Sequence, residues 1–373
     1  MRSIRLRLTC GAALAAFALT ACGGSPTTTN DAAAGGDTPA SEAENVYAKL
    51  SALAGQERRD ELVACAEEEG RLSFYTSMTA EVADASAKGF EDAFDIEVSL
   101  YRASSEAVLQ RILQEQSAKF AGNDVVETNS RELTALNKEG KLADYEGERR
   151  DLVPETGRFE GWTATRFNLF APSWNTDRIG GVGGPPRRWE DLADPRYDGQ
   201  LAMEVDDYDW YMTLYAYWQE QGKSETEIDK LFAGMARGAK IVKGHTVMGE
   251  LLSAGQYAVI ASPYTYAIER QKQEGAPVEY QPVVEPVIAR PNGIALMKTA
   301  TNPCSALLFT DWLLEEGQKI IAAQNLTPSI TEGEDPLKDI EVIAVDNAKL
   351  LDEGAEWSKK YESVVSGGEQ AGN

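Results

Sequence analysis

The chain has 373 residues, with 60 Asp and Glu against 36 Lys and Arg, one histidine and four cysteines, for a formal net charge of −24. An acid surplus of this size repels phosphate backbones and anionic lipid, which argues against a nucleic-acid or membrane-surface binder. One histidine excludes multi-histidine zinc and iron centres, while 43% apolar residues suffice for a packed core and the length suggests two domains.

The N-terminus reads as an address. Arg2, Arg5 and Arg7 precede a short apolar run, residues 8–19, too short to span a bilayer. The run ends in Leu19-Thr20-Ala21-Cys22, which resembles a bacterial lipobox. Residues 1–21 are therefore expected to be a signal peptide and Cys22 the lipidated first residue of the mature chain. Cleavage removes three arginines and no acid, so the exported charge becomes −27. Residues 22–44 hold no large apolar side chain, apart from the lipidated Cys, and read as a flexible tether. Lipid would be the only membrane anchor. Outside the cytoplasm Cys65 and Cys304 are free to pair; the alternative is two small buried thiols.

The body reads as alternating helices and strands. A helix from Gln56 stops at Gly70. Residues 72–76 (LSFYT), 96–100 and 124–127 (DVVE) are predicted strands, each followed by a helix. Ser77/Thr79, Ser104/Ser105 and Asn129 stand at the helix starts, Asn129 with Glu132 as a capping box. Residues 162–174 form a mixed run. Residues 201–205 are a strand leading through Asp206-Asp207-Tyr208 into an aromatic helix, 209–221, and Ser224 with Glu227 caps the next. Residues 246–254 and 266–274 are helical, 258–261 and 293–297 are strands, and 304–315 is an amphipathic helix. This order predicts an α/β fold with mostly parallel sheets. Ligands of such sheets gather at strand carboxyl ends, which makes Ser77, Ser104, Ser105, Asn129, Asp206, Tyr208, His245, Tyr264 and Tyr266 the candidate ligand-binding residues.

No nucleophile elbow or phosphate loop is present. Gly180–Pro186 ends in two prolines and is a linker rather than a nucleotide loop. Trp210, Leu214, Tyr217 and Trp218 share one helix face and read as core. His245 reads as a polar helix start or a ligand contact rather than a general base.

The order of lipobox, tether, LSFYTSMT, YRASSEAVLQRI, DVVETN, WEDLADPRYDGQLAM, GHTVMGELLSAGQYAV and ARPNGIALMKTATNPCSALLFTDWLLEEGQ resembles the family-1 extracellular solute-binding proteins of bacterial ABC importers, nearest the ferric-iron-binding group. The resemblance implies a two-lobe type II periplasmic-binding fold with a two-segment hinge near 162–174 and 287–297. Residues 45–165 and 287–365 would form lobe 1, 166–286 lobe 2, and 366–373 a disordered tail. It implies a monomer that captures a small solute by cleft closure, without catalysis or cofactor, and hands it to permease subunits. Ferric relatives hold the metal with lobe-2 tyrosines; Tyr264 and Tyr266 match that place but are separated by Thr265. Phosphonate, polyamine or thiamine-like solutes remain open, with Asp206, Asp207 and Glu127 suited to an amine. A lipid-anchored hydrolase and a sensing module are the readings from other classes.

Overall fold

The computed structural model describes residues 41–330 and 339–371, with backbone alone from 367. The signal segment, Cys22 and the tether through residue 40 lie outside the described residues. In chain order the elements begin α1 (Glu42–Ser51), α2 (Gly55–Glu69), β1 (Arg71–Thr76), α3 (Ala80–Phe94), β2 (Glu97–Arg102), α4 (Ser105–Ser117), β3 (Val125–Asn129) and α5 (Ser130–Lys138). Next come β4 (Leu142–Ala143), β5 (Arg158–Phe159), β6 (Trp162–Phe170), β7 (Ser173–Asn175), β8 (Leu201–Glu204), α6 (Tyr208–Glu220), α7 (Glu225–Ala236), β9 (Lys240–Val242) and α8 (His245–Ser253). The chain closes with β10 (Val259–Ile260), α9 (Thr265–Gln273), β11 (Val278–Glu279), β12 (Val287–Met297), α10 (Pro303–Leu313), α11 (Glu316–Ala323), β13 (Thr327–Pro328), β14 (Val342–Ala344) and α12 (Asn347–Ala371).

Among the described residues these strands make two sheets. The larger has the order β13-β6-β12-β3-β1-β2, with β4, β5 and β14 attached; the smaller is β11-β7-β10-β8-β9. Strands β1, β2 and β3 run parallel, as expected for β-α-β units, whereas β12 is antiparallel to both β3 and β6. Both sheets are therefore mixed. Long β6 and β12 lie side by side in the larger sheet, and each leads into the smaller one, β6 forwards to β7 and β12 back to β11. Gly293 permits this close pairing: a Cβ there would meet the Trp162 ring at 2.5 Å and the Thr163 carbonyl at 2.6 Å.

Each sheet has its own core. Phe74, Phe90 and Phe309 pack together under the larger sheet, with Phe74 and Phe309 centroids 4.7 Å apart. Trp189, Trp210, Trp218, Tyr211 and Phe232 fill the core of the smaller one. Burying each such ring contributes about 1.5–3 kcal/mol. Cys65 on α2 and Cys304 on α10 are joined by a disulfide, with a Cα separation of 5.8 Å. Beside it, the Glu69 carboxylate accepts from the backbone N–H groups of Cys304 (3.1 Å) and Ser305 (2.8 Å), capping α10 from a neighbouring helix.

Four expectations need correction. The first helix starts inside the expected tether, because Ser41 and Glu44 form a capping box that nucleates it. The C-terminal segment does not stay with lobe 1: α12 packs Leu350, Tyr361 and Val365 into the core of the smaller sheet, and Tyr361 donates to the Glu204 carbonyl at 2.6 Å. This adds a third passage between the sheets, after β14, to the two expected. Helix α12 also continues through Ala371 into the expected disordered tail, since extending a packed helix costs far less than nucleating one.

Candidate functional site

The smaller sheet orders β10, β8 and β9 side by side and parallel, so their carboxyl ends deliver Ser262–Tyr264, Asp206–Asp209 and Gly244–His245 to one edge. Glu204, last in β8, builds the edge. Its carboxylate accepts from the Gly244 N–H at 2.9 Å and from the Asp206 N–H. Gly244 has φ +95°, which admits only glycine without strain and turns the chain so that His245 opens α8. Burial, and then the neighbouring Asp207, push the Glu204 carboxyl above its usual range.

On this edge three rings form a stack. His245 lies over Tyr264 with centroids 4.0 Å apart and planes 16° from parallel; Tyr264 lies over Tyr266 at 5.7 Å and 14°. Tyr264 sits in extended conformation (φ −74°, ψ 127°) immediately before α9, so the two tyrosines face the same way despite Thr265 between them. The His245 Nε2 is 2.9 Å from Asp207 Oδ1, within ion-pair reach but off the hydrogen-bond direction. Ser262 donates its hydroxyl to the other Asp207 oxygen.

Arg290 enters from β12. Its guanidinium donates to the Tyr264 phenol oxygen and to Asp209 Oδ2 at 3.1 Å. Burial pushes the Tyr264 phenol well up, with Arg290 opposing, and the phenol keeps its proton through the ordinary pH range. Burial disfavours the Arg290 charge, but Tyr264 and Asp209 outweigh it and hold the guanidinium charged.

The larger sheet supplies the facing wall. Strand register sets Asn292 opposite Asn129 and Arg290 opposite Asn168. Asn292 donates to the Asn129 side chain, and Asn168 donates to Asn292 Oδ1 at 3.0 Å. The expected cap at Asn129 is therefore absent: its amide is spent across the strands. Glu132 keeps a buried carboxylate oxygen without a partner, as do the Ser130 hydroxyl, Arg290 Nε and Trp210 Nε1 nearby in sequence or charge contact. Buried polar atoms without partners are costly.

The remaining candidates divide. Thr128 donates to Ser77 Oγ at 3.0 Å at the start of α3, where Thr79 makes no side-chain cap. Tyr208 accepts from Arg131 at 2.5 Å, joining α6 to α5. Asp206 is exposed at the edge. Ser104 caps α4, accepting from the Ala107 N–H at 3.3 Å, and lies in a shallow outer groove with Tyr101 and Arg111; Ser105 is the first residue of that helix. Neither serine contacts the His245–Tyr264 stack among the described interactions. Glu127, suggested for an amine, is fully buried and paired with Arg166, Thr76 and Thr165. The pattern reading missed Arg290, Asn292, Asp209 and Ser262. The signal was present in ARPNGIALM, where an arginine and an amide interrupt a strand buried on both faces.

Among the described residues no helix is long and apolar enough to cross a membrane. Among the described residues, the one group of three Cys, His, Asp or Glu side chains with ligand atoms close enough to share a metal ion is Cys65, Glu69 and Cys304, whose sulfurs are bonded to each other.

Two α/β sheets linked by crossing strands, with the polar groups collected at their junction, are the architecture of the type II periplasmic binding proteins. Solved structures agree. The periplasmic binding protein AfuA of Actinobacillus pleuropneumoniae, with exogenous fructose-6-phosphate bound, matches at TM-score 0.65 and 22% identity, covering 79% of this chain and 98% of that one. Iron-bound HitA of Pseudomonas aeruginosa matches at TM-score 0.66 and 20% identity, covering 78% and 99%. An uncharacterized protein of Haemophilus influenzae is 25% identical over 268 residues, 67% of this chain and 75% of its own length. The family of bacterial extracellular solute-binding proteins matches residues 118–351, more than half the chain, and the chain belongs to that family. It is a solute-binding protein of the ABC-importer class, working outside the cytoplasm and serving permease subunits.

Proposed function

We propose that the protein captures ferric iron, as the ion or a chelate, and presents it to an ABC permease. The observation that carries this reading is the parallel pair Tyr264 and Tyr266 on one edge with Asp206, Asp207 and Asp209. Phenolate and carboxylate oxygens are hard donors suited to a hard trivalent cation. Arg290 marks the spot: a positive charge already sits between a phenol and a carboxylate. Cargo takes over that role as Tyr264 gives up its proton and the guanidinium moves aside. The iron-bound state of HitA is consistent with such a use of the fold.

Residues 45–165 with 287–330 and 339–344 act as one lobe, and 173–286 with α12 as the other. Solute bridging both lobes favours the closed form, since only differential affinity shifts that equilibrium. The protein acts as a monomer without turnover, and Cys22 carries the lipid that holds it to the cell membrane.

A second reading is a phosphorylated or phosphonate solute. It is favoured by the Ser77–Thr128 hydroxyl pair at the start of α3, where the Thr79 side chain makes no cap and a helix N-terminus suits an anion. Thermal shift of the body from Ser41 onward separates the two. Ferric citrate at a thousandfold excess over its dissociation constant stabilises by about 4 kcal/mol, and inorganic phosphate or phosphonate leaves the midpoint unchanged. The reverse pattern refutes iron.

A further inference from the structure

We infer that the solute is a ferric chelate with an uncharged, partly apolar organic body seated in a cavity beside Tyr266. This rests on the iron reading and specifies its cargo. Tyr266 has two neighbours. One side of its ring stacks on Tyr264; the residue also lines a cavity of about 920 Å³ between α9, α11 and the edge of the larger sheet. A bare ion needs no such volume, which falls in the range of sites for organic ligands of about 300–1,000 Å³. Leu152, Leu169, Val283, Leu314 and Leu326 give the walls their apolar character. The four charged residues at the walls balance in sign, Arg149 and Lys319 against Glu269 and Glu315, and Arg149 pairs with Glu315. The cavity thus offers apolar contact and little net charge, in contrast to the acidic edge on the other side of Tyr266. One solute with an iron end and an apolar end fits both.

The test uses two 1:1 ferric complexes with the same donor atoms, ferric acetohydroxamate and ferric benzohydroxamate, which differ by a phenyl ring and leave iron positions open to phenolates. Calorimetry on the chain from Ser41 onward, which keeps α1, is expected to show about tenfold tighter binding of the benzo complex. Ala322 lines the cavity from the exposed side of α11, so Ala322→Trp fills it without disturbing the core. This variant is expected to bind the acetyl complex normally and to lose the preference for the phenyl ring. Equal affinity for the two complexes, or a preference that survives Ala322→Trp, overturns the inference while leaving iron capture intact. Failure of every ferric species, citrate included, to bind overturns the iron reading and the chelate with it.

Discussion

Arg290 stands in the larger sheet and Tyr264 in the segment that joins the smaller sheet to α9, and the guanidinium of the first donates to the phenol oxygen of the second. Arg290 stands on β12, one of the two strands that run between the sheets, and Tyr264 at the carboxyl end of β10. The same guanidinium holds Asp209, whose side chain is 9% exposed. Arg290→Gln leaves that carboxylate buried without its counter-charge and is expected to cost about 3–5 kcal/mol in urea unfolding. Arg290→Lys keeps a charge but not the fork, and is expected to lose less.

Proton release gives a second prediction. Burial raises the Tyr264 phenol above its usual range, so at neutral pH the group is protonated and metal must expel the proton. Ferric affinity is therefore expected to rise with pH, with Tyr264 contributing about tenfold per pH unit. Tyr264→Phe removes one unit from that slope. An unchanged slope in the variant means that Tyr264 does not ligate.

Glu132 is expected to behave as a destabilising group. It is 6% exposed, one of its oxygens has no partner, and burial raises its carboxyl above the usual range. A carboxyl raised in the folded state favours folding when protonated and loses that contribution as pH rises through its folded value. Glu132→Gln is thus expected to stabilise the protein by about 1–3 kcal/mol at pH 8. The gain shrinks toward pH 4, which thermal unfolding at both pH values checks.

The disulfide staples α2 near the start of the body to α10 far along the chain, a sequence separation of 239. Replacing both cysteines by alanine is expected to lower unfolding free energy by about 2–5 kcal/mol with little effect on solute affinity, because the bridge lies in the core of the larger sheet and away from the stack.

Periodicity made most elements of this fold legible. The β-α-β order of β1 to α5 and the Ser224–Glu227 capping box were local signals, and both are present. What escaped was set by distant partners. Asn129 looked like a helix cap by its spacing to Glu132, but its strand register against Asn292 claims its amide. The destination of α12 was hidden for the same reason: its apolar face suits either core, and only the passage after β14 selects the smaller sheet. The spacing of Tyr264 and Tyr266 was ambiguous in sequence, since a strand aligns them and a helix splays them. The extended residue before α9 decides it, and the rings lie parallel.

The most direct test is a ferric citrate titration of the wild-type chain and of the Tyr264→Phe/Tyr266→Phe double variant, followed by visible absorption. Phenolate ligation predicts a charge-transfer band that saturates at one ferric ion per chain and is lost in the double variant together with tight binding. A wild-type protein without the band, or a double variant that keeps both colour and affinity, contradicts the account.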